Sequence, residues 1–267
     1  MKAIVTTAGR PTEHTIQLAK NAGMKLHLPY IDRQKRTVTQ LQKQYQSDVL
    51  VATKSRWEYY GVHSNEPFFF HPSSAMFRIK RLARGEADPL VDACKLVEGD
   101  TFLDCTLGYA SDSLVAAYMV GVEGSIVGCE ASKIQAFILD EAFHGDRTDH
   151  QEYLSLMKKI QVISSDAVSF LKTQKDSSFD VVYLDPMFEE TIQESENLNP
   201  LRHVGRNDPL TEEWVTEATR VAKKRVVLKA HFQSAWFKDF QFQQIVRRNT
   251  KFHFGYIDCT EKAAYSS

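Results

Sequence analysis

Val181-Val182-Tyr183-Leu184-Asp185-Pro186-Met187-Phe188 is an apolar run that ends in an acid, then a proline, then an aromatic. It reads as a buried strand that delivers a carboxylate and a ring to the rim of a sheet. Working outward, the same grammar repeats upstream. Thr101 to Cys105, Ser125 to Cys129 and Ile160 to Ser164 are strand candidates, and acids stand at or just past their ends at Asp104, Glu130 and Asp166. Helical patterns lie between them at Ser111 to Val120, Lys133 to Phe143 and Ala167 to Gln174. Downstream come a helix from about Thr211 to Ala222, a strand from Arg225 to Ala230, and a closing antiparallel pair, Gln244 to Arg247 with Lys251 to Asp258. Short apolar strands alternating with helices predict an α/β fold, a mostly parallel sheet covered on both faces.

The bulk numbers bound what this sheet belongs to. A chain of 267 residues suits one large α/β domain, or one with a small appendage. Its net charge of -1 excludes a globally basic nucleic-acid binder but leaves room for local patches. No apolar run approaches the roughly 18 residues of a membrane helix. Met1 to Gly9 reads as a first strand and its turn rather than a signal peptide. Cys94, Cys105, Cys129 and Cys259 are widely spaced, as expected of reduced core cysteines in a cytoplasmic protein, and the nine histidines show no ligand spacing, so no metal is expected.

Residues 1–70 read as a small N-terminal α/β unit, and 71–267 as the main domain. The unit's expected elements are a strand from Lys2 to Thr7, a helix from Pro11 to Ala22 closing at Gly23, a basic helix from Arg33 to Gln46, and a strand from Asp48 to Thr53. Pro67 to Pro72, with three aromatics inside, suggests an extended crossing between the two. Ser73 or Ser74 then caps a helix running to about Leu96, interrupted at Gly85.

Ligands of open α/β sheets sit beyond the carboxyl ends of the strands, where the four acids lie. The loop from Asp104 to Asp112 has one glycine, Gly108, too few for a cradle around pyrophosphate. A carboxylate there repels phosphate and attracts an ammonium or sulfonium. Glu130 is placed to take ribose hydroxyls and Asp166 an adenine amino group, with Ala167 small enough for a base to lie against the backbone. Plainer roles stand beside these: Asp104 as a turn cap, Glu130 and Asp112 as helix-start acids, and Asp166 as the N-cap of the helix from Ala167. Asp185 and the Pro186 carbonyl are suited to accept the two hydrogens of an exocyclic base nitrogen, and Phe188 to stack on the base. Together these features point to a methyl transfer from S-adenosylmethionine (SAM).

Three motifs carry a resemblance: Asp104-x-Thr106-x-Gly108-x-x-x-Asp112, Glu130 after its strand, and Tyr183-Leu184-Asp185-Pro186-Met187-Phe188. Over roughly residues 70–258 the chain resembles the ribosomal small-subunit methyltransferase J family, enzymes that methylate guanine N2 in ribosomal RNA. The resemblance implies a Rossmann-like class I methyltransferase fold. It also implies SAM held by Asp104, Thr106, Gly108, Asp112 and Glu130, beside Asp166 and Ala167 as read above, and an RNA substrate served by Asp185, Pro186 and Phe188. The chain departs from the family at Ala110, where a second glycine is usual, at Ala131, where an arginine is usual, and at the acidic stretch Glu189 to Glu196. Candidate RNA contacts are three basic clusters: Arg78, Lys80, Arg81 and Arg84; Arg202, His203 and Arg206; and Arg33, Lys35, Arg36, Lys54 and Arg56. The alternatives are a small-molecule or protein methyltransferase, and a non-catalytic SAM-binding RNA-binding or assembly factor.

Overall fold

The computed structural model describes residues 3–62, 64, 66–145, 151–186, 209–248 and 250–260. These fall into two compact units: 3–71 with 132–154, and 72–131 with 155–186 and 209–260.

The first unit is built on strands β1 (Ala3–Thr7), β2 (Asp48–Ala52) and β3 (Trp57–Tyr60), in the order β1-β2-β3. β1 and β2 are parallel, and β3 returns antiparallel. Helices α1 (Glu13–Leu26) and α2 (Val38–Tyr45) make the crossovers, each opened by a capping box, at Thr12 and Thr37. Ile4, Leu41, Val49 and Val51 form the unit's core. Two expectations are corrected here. α1 runs through Gly23 to Leu26, because Gly23 lets the Leu28 carbonyl approach to 2.8 Å from where a Cβ would stand. The helix expected from Arg33 begins only at Val38: Gln34 and Lys35 are left-handed, with φ of 46° and 64°. The strand β3 has no clear sequence signal, and its Tyr59 pairs with Phe68 inside the proline-bracketed aromatic stretch.

In the second unit, seven strands are ordered β6-β5-β4-β7-β8-β10-β9. They are β4 (Thr101–Asp104), β5 (Ser125–Cys129), β6 (Ile160–Ile163), β7 (Phe179–Leu184), β8 (Ala222–His231), β9 (Gln243–Ile245) and β10 (Phe252–Asp258). Only β10 is reversed; it lies antiparallel between β8 and β9. The chain winds outward from β4 through β5 to β6 and returns to place β7 on the other side of β4. That reversal at β4 and β7 opens a crevice at their carboxyl ends.

Strand periodicity sorts the side chains. Leu103, Val182, Leu184, Val226 and Leu228 join α8 (Ala167–Thr173), α9 (Glu212–Val221) and α10 (Trp236–Asp239) in one buried cluster. The alternate residues Phe102, Asp104, Tyr183, Asp185, Val227 and Lys229 therefore face the other side. There lie α3 (Ser73–Leu82), α4 (Pro89–Cys94) and α5 (Ser111–Met119). The helix expected from Ser73 to Leu96 is thus two helices, parted at Gly85, whose φ is 80°, and restarted by Asp88, which caps α4 ahead of Pro89. Neither Ser73 nor Ser74 caps α3; its N-cap is Pro72. Helix α6 (Lys133–His144) packs within the first unit, where Phe137 meets Trp57 and Phe143 meets Phe70 edge to face, and the single turn α7 (Leu154–Met157) precedes β6.

Candidate active site

The loop after β4 is stitched to both neighbouring strands. Cys105 N–H donates to the Tyr183 carbonyl at 2.9 Å, and Leu107 N–H to the Cys129 carbonyl at 2.9 Å. Gly108 (φ 52°) and Ala110 (φ 57°) then turn the chain into α5. A side chain at Gly108 meets a strained backbone rather than a clash, and Ala110 tolerates the same region at a cost of about 1–2 kcal/mol. The glycine usual at position 110 is therefore replaced without losing the turn.

Asp104 closes this loop from beneath. It is 1% exposed, and its carboxylate accepts from Thr106 N–H at 2.9 Å and from the Ser113 hydroxyl at 2.7 Å. Burial pushes its pKa up to about 7; nearby Asp112 and Asp185 add to the rise, and the two hydrogen bonds oppose it. The Thr106 hydroxyl donates to Asp104 at 3.3 Å and accepts from Asp185 N–H at 2.8 Å, tying the ends of β4 and β7 together.

At the next strand ends, Glu130 is buried, with its N–H on the Ile163 carbonyl at 2.9 Å. Asp166 is the N-cap of α8, accepting from Ser169 N–H at 2.9 Å, and the buried Ala167 follows it. The plainer reading of Asp166 as a cap is thus real.

The feature that sequence reasoning undervalued is Lys229. Its Nζ lies 2.7 Å from Asp185 Oδ2 and 3.2 Å from Asp112 Oδ2. Asp112 is more than a first-turn helix acid: it also accepts from Arg78 at 2.5 Å and from the Tyr183 hydroxyl at 2.8 Å. Arg78 in turn makes a two-pronged bond to Asp88, at 2.7 and 2.8 Å. Burial alone would raise the Asp112 pKa, but Lys229 and Arg78 outweigh it and hold the group well below the usual carboxylate range. Burial also raises Asp185, with Asp112 adding and Lys229 opposing. Lys229 is pushed down by burial, yet its two carboxylates win and raise it. A signal did exist: Lys229 shares the strand phase of Val227, opposite the buried Val226 and Leu228.

The structure separates the other basic clusters. Arg78 is bound to two carboxylates and Arg81 to Glu86, so the cluster on α3 is partly neutralised. Met187, Phe188, the acidic stretch Glu189 to Glu196, and Arg202, His203 and Arg206 lie outside the described residues. Among the described residues no helix is long and apolar enough to cross a membrane, and no cluster of three metal-ligating side chains occurs.

SAM is a fair test of these donors. Three carboxylates on the adjacent strand ends β4, β5 and β6 suit an ammonium, a diol and an amino group, and a turn with one glycine suits close approach without phosphate. The residues present fit the group.

Comparison with known proteins agrees. A family model described as "Putative SAM-dependent methyltransferase" matches residues 33–254. The "Uncharacterized protein YpiP" of Bacillus subtilis (strain 168) is 43% identical over 254 residues, covering 95% of this chain and 98% of YpiP. Ribosomal RNA small subunit methyltransferase J of Hydrogenovibrio crunogenus is 32% identical over 158 residues, and the match spans 56% of this chain and 55% of that protein. Among solved structures, the SAM-dependent methyltransferase NGO1261 from Neisseria gonorrhoeae has a TM-score of 0.59 at 18% identity, covering 100% of this chain and 97% of its own, which shows the shared fold.

Proposed function

Because the chain belongs to the SAM-dependent methyltransferase family, we propose that it methylates an exocyclic base nitrogen of RNA, of the guanine N2 type, in ribosomal RNA. The observation that carries this reading is Asp185: a partly buried carboxylate just past the end of β7, with one oxygen on Lys229 and its backbone on Thr106. SAM supplies a methyl group on a sulfonium. Asp104 receives the amino-acid end's ammonium, Glu130 the ribose hydroxyls and Asp166 the adenine amino group, while Thr106, Gly108 and Ala167 shape the turns around them. Asp112 contributes through Lys229 and Arg78.

An aromatic amino nitrogen is a poor nucleophile because its lone pair is shared with the ring. Asp185 accepts one amino hydrogen and the Pro186 carbonyl the other, which orients the nitrogen and favours its pyramidal form. Lys229 keeps Asp185 charged for that task and fixes its rotamer. Asp185 is also the base within reach of the proton that the nitrogen must lose. Phe188 stacks on the base. The partial match to a protein named ribosomal RNA small subunit methyltransferase J supports this acceptor.

The test is labelling of small-subunit particles, and of their naked RNA, with methyl-labelled SAM, followed by nucleoside mass spectrometry. A product of N2-methylguanosine is expected. Label that enters protein or a small molecule, with none in RNA, overturns the acceptor assignment.

Asp104 gives this reading a pH signature. With its pKa near 7, the neutral acid below that value has no charge to offer an ammonium. The affinity for SAM is expected to rise about tenfold per pH unit up to 7 and then level off. Calorimetry from acid to neutral pH checks this, and Asp104→Asn should flatten the curve. In the cofactor-free protein the sign is opposite. A raised folded-state pKa favours the fold most below the unfolded value near ~3.9, and that contribution is lost as pH rises through 7.

A further inference from the structure

The N-terminal segment of the first unit carries a charge that the rest of the chain lacks. Residues 1–71 hold ten Lys and Arg against five Asp and Glu, a net of +5; the other 196 residues hold 23 against 29, a net of -6. The fold concentrates that charge at one edge. β1 and β2 run parallel and end level, Thr7 beside Ala52, and the segment around Tyr30 runs parallel to β1 through its bridge to Val5. Three loops therefore leave the same edge. They carry Arg10; Arg33, Lys35 and Arg36; and, in the turn from β2 to β3, Lys54 and Arg56. The carboxylates there are Glu13, Asp32 and Glu58.

The middle loop is built rather than slack. Arg33 Nε donates to the Arg36 carbonyl at 2.6 Å, and Arg36 Nε donates back to the Arg33 carbonyl at 3.2 Å. Arg33 also reaches the Thr7 carbonyl at 2.9 Å, and Arg36 the Gln44 side chain at 2.8 Å. Those bonds hold Gln34 and Lys35 in left-handed backbone, a strain that calls for a reason. Both arginines are thus fixed by neutral oxygens, and among the described residues neither they nor Arg10, Lys35 or Lys54 has an ion pair. Arg56 alone is paired, with Glu58 at 2.7 Å, and its guanidinium lies 3.7 Å from the centre of the Phe69 ring. The N-terminal ends of α1 and α2 add positive dipole at this edge.

We infer that this edge is a phosphate-binding surface by which the first unit grips the backbone of the RNA substrate, an inference that rests on the RNA reading above. The fixed arginine pair provides rigid donors, and the exposed Arg10, Lys35 and Lys54 provide charge. The recognition is of backbone, not sequence, and is therefore salt-dependent.

The test uses the full chain and a fluorescein-labelled hairpin of small-subunit ribosomal RNA, read by anisotropy between about 50 and 200 mM salt. The variant is Arg10→Glu, Lys35→Glu and Lys54→Glu together; all three side chains are exposed, so folding is spared. The variant is expected to bind RNA at least roughly tenfold more weakly, with the slope of log affinity on log salt reduced by about 2–3. Its melting temperature and its Kd for SAM should match the parent's. A parent that methylates RNA, with a variant of equal affinity and slope, overturns this inference alone. A parent that neither binds nor methylates RNA overturns the RNA reading and this inference with it.

Discussion

Asp185→Asn is expected to slow methyl transfer by roughly 10²–10³-fold in single turnover, the usual loss when one preorganised polar group is removed from the reacting centre. The affinity for SAM should stay within a few-fold of the parent, because Asp185 faces the acceptor in the proposed arrangement and Asp104, Glu130 and Asp166 hold the cofactor. The substitution keeps the shape of the side chain and leaves Lys229 its second partner, Asp112, at 3.2 Å, so the protein should remain folded. The split between rate and affinity separates roles. A general loss of structure would weaken SAM binding along with catalysis. Should the rate fall by less than about tenfold, Asp185 is not the group that serves the acceptor, and the reading of β7 must change.

The largest effect on stability is expected from Asp112→Ala. That side chain receives Arg78 at 2.5 Å, the Tyr183 hydroxyl at 2.8 Å and Lys229 at 3.2 Å. Its removal leaves Lys229 with Asp185, Arg78 with Asp88 and the Tyr183 hydroxyl without this acceptor, and because the two cations are only partly buried the loss should lie near the low end of the range, about 3–5 kcal/mol, for breaking a buried pair. Urea denaturation at neutral pH measures this. Glu213→Ala is the contrast: its pair with Lys172 has both side chains more than half exposed, and the loss should be below about 1 kcal/mol. Asp112 also sets the acid limit of its network. Burial works against its charge, but Lys229 and Arg78 hold its folded pKa below the unfolded value. The stabilisation is present above about pH 4 and is lost only as pH falls through the lower, folded value.

The carboxylates were legible in the sequence because each ends a short, mostly apolar run, which has few other readings in an α/β chain. The loop from Asp104 to Asp112 was legible through its single glycine. Arg78 was not, and Lys229 only in part, as a residue near the pocket or a solvated strand end, for a common reason. A lysine after an apolar run and an arginine on a basic helix usually point to solvent, and only their partners on other elements reveal otherwise. Strand phase could have found Lys229, since it alternates with Leu228; nothing local marks Arg78. Helix limits failed where side chains acted on the backbone, as in the reciprocal Arg33 and Arg36 bonds that delay α2. At Gly23 the usual stop residue served close packing instead. The plainer roles of the acids are the ones the contacts display, since Asp166 caps α8 and Asp104 closes a turn, although the sequence favoured cofactor contacts for both.

The bonds to Asp112 reach across 34, 71 and 117 residues of chain. A topology closed by such distant partners folds slowly, because each closure costs chain entropy before any contact repays it. During synthesis β4, β5 and β6 emerge well before β8. Until the strand bearing Lys229 docks, Asp112 has Arg78 to offset its charge, but Asp185 lacks the lysine that offsets its own. Lys229 therefore joins two carboxylates that the chain can bring together only once its eighth strand is in place.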